Sequence, residues 1–113
     1  MTIFSPHRLA VALAVLAGTA VANPAHDILA GMSEAKQRET LAGLLTNSGE
    51  RCPSVTRVFF QGSAKNGDAF WNAQCSTGQA FSIQINNDSK GSTRLLDCKV
   101  LKAVGGGTCF KKF

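Results

Sequence analysis

Four cysteines, Cys52, Cys75, Cys98 and Cys109, constrain this chain more than any other feature. In a short exported chain an even cysteine count reads as a disulfide framework, and four cysteines allow three connectivities. The start of the sequence supplies the export signal. Arg8 forms a short positive region, an apolar stretch runs from Leu9 to Ala17, and Ala20-Val21-Ala22 places small residues where a signal peptidase cuts. That pattern predicts a signal peptide over residues 1–22 and a single domain over residues 23–113. The apolar run is shorter than the ~20 residues a spanning helix requires, and no second run of that kind follows. No membrane span is expected after cleavage. No cysteine follows the cut, which argues against a lipid anchor. The expected location is periplasmic or secreted.

The cysteines do not read as a metal site. The chain has no Cys-x-x-Cys pair, and His26 is the single histidine beyond the leader. Zinc, covalent haem and thioredoxin-type redox chemistry all lack their ligand spacing. No cofactor is implied. Beyond the leader, eleven basic residues face seven acidic ones, a formal charge of +4. Lys99, Lys102, Lys111 and Lys112 gather late in the chain. This balance permits contact with an anionic surface or acidic partner, and it also suits an ordinary solvated face.

The residue pattern reads as α+β: one N-terminal helix packed on a four-stranded antiparallel meander, with two disulfides. Residues 23–31 form a lead-in, with a turn of helix over His26–Ala30. Ser33 is a good N-cap, and Leu41, Leu44 and Leu45 make an apolar ridge, so a helix is expected from Glu34 to Thr46. Four strands follow, over Val55–Gln61, Ala69–Cys75, Gln79–Asn86 and Thr93–Leu101. Asn66-Gly67 marks the first turn. A three-residue loop at Ser76-Thr77-Gly78, with Gly78 left-handed, sets Ala73 opposite Phe81 and Trp71 opposite Ile83. That gathers Trp71, Ala73, Cys75, Phe81, Ile83 and Ile85 on one apolar face. A two-residue loop would set amides against aliphatics and is rejected. Leu96, Val100, the helix leucines and one phase of Val58/Phe60 or Phe59 complete the core.

The meander also orders the cysteines. Cys52 enters strand one at the end where strand two finishes with Cys75, and neighbouring strands lie about 4.8 Å apart. Cys98 lies one strand further away, beyond bonding reach of Cys75. The favoured pairs are therefore Cys52 with Cys75 and Cys98 with Cys109. The second would fasten the Gly-rich tail back onto strand four. Two equal 23-residue cysteine intervals show no internal repeat.

From Cys52-Pro53 through Gly67-Asp68-Ala69-Phe70-Trp71-Asn72-Ala73-Gln74-Cys75-Ser76-Thr77-Gly78 to Asp97-Cys98, the chain resembles uncharacterised small secreted proteins of bacteria. They share a first cysteine, an aromatic-x-x-x-Cys-x-x-Gly hairpin and a later cysteine. The outline of helix and meander also resembles the unit of β-lactamase-inhibitor-type domains, a likeness of fold rather than of function.

No catalytic constellation is legible. His26 lies in the lead-in, no Gly-x-Ser-x-Gly elbow exists, and the acids are scattered. Asn86–Gly91 reads as a turn rather than a calcium loop, because Lys90 stands at a ligand position. Gly105–Gly107 lacks the Lys of a phosphate loop. Lysines do not interleave with Phe59, Phe60 and Phe70 as a nucleic-acid platform would need, so no nucleic acid is expected. The remaining candidate is the sheet face turned away from the helix. Phe59, Phe70 and Leu95 are the expected contacts there, with Lys99 and Lys102 steering. The expected function is a secreted or periplasmic non-enzymatic binding or accessory protein acting on an unknown protein or envelope component. The alternative is a small secreted hydrolase with no recognisable motif.

Overall fold

The computed structural model describes residues 22–113. The leader read over residues 1–22 lies outside them except for Ala22. Helix α1 spans Pro24–Ala30. Asn23 caps it by accepting the His26 N–H, and Pro24 supplies the preset φ of a first helical position. The lead-in is thus a docked helix rather than a loose segment. The Asn23 Nδ2 group donates to Gly67 O at 2.9 Å and Ile85 O at 3.0 Å, pinning the helix start to one end of the sheet. Helix α2 spans Glu34–Asn47, capped by Ser33 as expected, and buries Leu41 and Leu45.

Strands β1 (Val55–Ser63), β2 (Ala69–Cys75), β3 (Ala80–Ile85) and β4 (Thr93–Asp97) form one antiparallel sheet in the order β1-β2-β3-β4. The expected hairpin register holds: Trp71 faces Ile83 and Ala73 faces Phe81. Gly78 sits at φ 94°, a conformation that costs glycine little, and the Cys75 amide donates to Gln79 O across the loop. Trp71, Ala73, Cys75, Phe81, Ile83 and Ile85 are all buried against Leu41 and Leu45. Val58 and Phe60 are the inward phase of β1, and Phe59 points outward. The disulfides are Cys52–Cys75 and Cys98–Cys109.

The fourth strand departs from expectation. It ends at Asp97, whose carboxylate accepts the Lys99 and Val100 amides and starts helix α3, Cys98–Ala103. The phase of β4 is also opposite to the one expected. Leu95 pairs with Ile83 and packs on the core side, whereas Leu96 pairs with Ser82 on the outer side. Two consecutive leucines leave a period-two pattern undecided, and the β3 register decides it. Val100, expected in the core, is 53% exposed on α3.

Candidate functional site

The sheet's outer face is not bare. After Cys109 the chain crosses it as a strap over residues 110–113, and every polar contact of that strap has a partner built into the sheet. A bulge between Phe60 and Gly62 places Gln61 as an extra residue in β1. Bulges redirect side chains, and the Gln61 Nε2 group donates to Thr108 O at 2.8 Å and Lys111 O at 3.0 Å. The Phe113 amide donates back to Gln61 O at 3.3 Å. Asn72 is fully buried, and its Oδ1 accepts the Phe110 amide at 2.7 Å while its Nδ2 donates to Gln61 Oε1. Gln61 and Asn72 therefore satisfy backbone of the tail rather than facing solvent.

Aromatic contacts follow the same route. The Phe110 ring lies 6.3 Å from that of Phe59 and carries the Arg57 guanidinium at 4.2 Å. The Phe113 ring meets Phe70 edge-on at 5.4 Å. Lys112 Nζ sits 4.6 Å from the Phe60 ring centre, a favourable cation–π distance. Phe110 holds φ 62°, unusual for a bulky residue, so the surrounding contacts must fix it there.

Of the five residues expected at this face, Phe59 and Phe70 are brought together on it but half-buried beneath the strap. Leu95 is turned to the core. Lys99 and Lys102 are exposed on α3, not on a strand edge. Sequence reasoning sets Asn72 on this face but finds no partner for it, and it misses Gln61 and Phe110. Phe110 and Phe113, one and four residues past the second disulfide, were the available signal for a docked tail.

Charge divides sharply along the chain. Residues 23–97 carry seven basic and seven acidic side chains and are formally neutral. Residues 98–113 carry Lys99, Lys102, Lys111 and Lys112 and no acid, so the whole excess of +4 over residues 23–113 lies in this last segment. Apolar side chains stand exposed in the same segment: Val100, Val104 and Phe113, the last two at 74%.

His26 is half-buried. Its Nδ1 accepts the Trp71 indole N–H at 3.0 Å, and its ring stacks on Phe60 at 4.8 Å. Its hydrogen-bond partner is thus an indole rather than a nucleophile or an acid. Among the described residues no group of three His, Cys, Asp or Glu side chains is placed to hold a metal ion, and no helix is long and apolar enough to cross a membrane. Comparison with protein-family models, with curated proteins and with solved structures gives no match.

Proposed function

We propose that this is an extracytoplasmic, non-enzymatic binding or accessory protein whose working surface is the cationic cap formed by α3 and the strap. The observation that carries this reading is the charge partition: a neutral body and a segment holding the entire positive excess, with apolar side chains exposed beside the lysines. Clustered charge of one sign raises encounter rates with an oppositely charged partner, and adjacent apolar groups supply contact once it is reached. The partner is an anionic envelope component or an acidic protein surface.

Export supports the same reading. Two disulfides suit an oxidising compartment. Asn23 is buried and Ala22 is exposed, which suits cleavage between them. The resemblance to small secreted bacterial proteins, which spans roughly residues 40–110, points the same way.

The test is capture by oxidised residues 23–113 from the envelope fraction, set against the K99Q/K102Q/K111Q/K112Q variant. Capture lost in the variant, at an unchanged melting temperature, is the expected result. Equal capture by both proteins would remove the cap as the working surface. N-terminal sequencing of natively isolated protein tests export, and it should begin at Asn23.

A further inference from the structure

Between the outer sheet face and the cap lies a cavity of about 250 Å³. Its floor is a tile of two cross-strand rows. Phe70, Gln84 and Arg94 form one row, and Ser82 and Leu96 lie in the next. Side chains directly opposite one another in such rows stand about 5 Å apart, so these groups share one small volume. Leu101 of α3 and Phe113 of the strap complete the wall. Ser82 lines this space, and because no buried side-chain polar atom lacks a partner among the described residues, its hydroxyl, which makes no hydrogen bond to them, opens to the solvent of the cavity. A hydroxyl in that position is available to donate to an acceptor held in the cavity. Arg94 is the single ionic side chain lining the cavity, and it forms no ion pair among the described residues. Gln84 spends its Nε2 donor on Asn86 Oδ1 and Asp68 Oδ2. Asp68 itself is not part of the lining.

We infer that this cavity binds a small apolar carboxylate, with the carboxylate held by the Arg94 guanidinium and the Ser82 hydroxyl and the apolar body placed among Phe70, Leu96, Leu101 and Phe113. Guanidinium and hydroxyl donors suit an anionic acceptor, and no lining acid opposes it. The volume, roughly that of eight waters at about 30 Å³ each, limits the ligand to one ring or a short chain. The inference is independent of the cap lysines, none of which lines the cavity.

The probe is 3-phenylpropionate, titrated into oxidised residues 23–113 and followed by calorimetry and amide chemical shifts, with 3-phenylpropanol as its uncharged analogue. The expected result is saturable one-site binding of the acid, with shifts at Ser82, Arg94 and Leu96. The alcohol and the Arg94→Gln variant should bind about tenfold or more weaker, the loss of one charged hydrogen bond. Ser82→Ile, which fills the floor, should abolish binding, and native-like amide spectra of each variant would show that the fold survives. Binding equal for acid and alcohol, binding unchanged in Arg94→Gln, or no saturation by the native protein would each overturn the inference. Binding retained by K99Q/K102Q/K111Q/K112Q is expected, so failure of the proposed cap function leaves this result readable on its own.

Discussion

Gln61 and Asn72 are small polar residues whose positions make them costly to lose. Each is buried; the Gln61 side chain serves Thr108, Lys111 and Asn72, and the Asn72 side chain serves Phe110 and Gln61. Replacing Asn72 by Leu strands the Phe110 N–H and half of the Gln61 amide. Leaving buried polar groups unpaired costs about 1–3 kcal/mol, and urea unfolding of the oxidised protein should show a loss in that range. Gly62 has a different constraint. It sits at φ 146°, and a Cβ there would meet Phe113 Cδ2 at 2.8 Å, so a side chain at this point pushes the strap's last ring away. His26 gives a third, optical handle. Trp71 is the only tryptophan, and its indole N–H donates to His26 Nδ1 at 3.0 Å. His26→Leu should change the emission of Trp71 and lower stability by about 1–3 kcal/mol. His26→Gln, which keeps an acceptor, should recover part of both. A stability loss without any change at Trp71 would mean that the indole finds no use for His26.

Helix α3 and the strap behave as one element because the Cys98–Cys109 bond joins the start of one to the start of the other. Cutting a loop of this size from the unfolded chain's constraints costs about 3 kcal/mol by chain entropy. The Cys98→Ser/Cys109→Ser variant should therefore lose hydrogen-exchange protection at Phe110 and Phe113 first, while β2 and β3 keep theirs. Equal loss everywhere would make the cap part of the global unfolding unit. Asp97 adds a pH dependence to the same element. Its hydrogen bond from Gln79, then those from the Val100 and Lys99 amides, hold its carboxyl below the ordinary aspartate value. A lowered folded value means that the capping contribution is complete above the ordinary range and is lost as pH falls through the lowered one. Protection of the Lys99 and Val100 amides, taken relative to the intrinsic exchange rate at each pH, should fall over that acidic window in the native protein and be already low, with less pH response, in Asp97→Ala. The same stretch marks the boundary of what sequence can tell. The β2–β3 register followed from Gly78 and the alternation of Trp71, Ala73 and Cys75, because a short loop leaves few options and the wrong one buries amides. The cysteine pairs followed from strand adjacency. Asp97 was a capping residue in plain sight, yet Val100 and Leu101 read as β, and local propensity lost to the cap. The strap was legible only in part. Phe110 and Phe113 hint at a docked tail, but its partners, Gln61 and Asn72, lie 38 to 50 residues away, and nothing local says where it docks.

Across the whole molecule, the arrangement separates two jobs that small domains often mix. The neutral body, crosslinked once by Cys52–Cys75 and packed around Leu41, Leu45 and Ile83, carries the fold. The cap carries the charge, and it covers an outer sheet face that would otherwise expose Phe59 and Phe70. Burying those rings under its own chain removes an apolar patch of the kind that leads β-sheets to associate. It also moves the available surface from the sheet to the lysines. Attraction through exposed lysines is screened over about 10 Å at 0.1 M salt and about 3 Å at 1 M. Association with phosphatidylglycerol-containing vesicles, measured by co-sedimentation, should therefore exceed that with phosphatidylcholine vesicles at low salt and fall steeply as salt rises. Each lysine near the surface is worth about 1 kcal/mol in such contact, so Lys111→Gln/Lys112→Gln should weaken it by about thirtyfold. Lys36→Gln, a change on the neutral body where Lys36 pairs with Glu39 at 3.2 Å, should change it little. If instead the two variants weaken it alike, total charge and not the cap governs the contact, and the division between body and cap has no functional meaning.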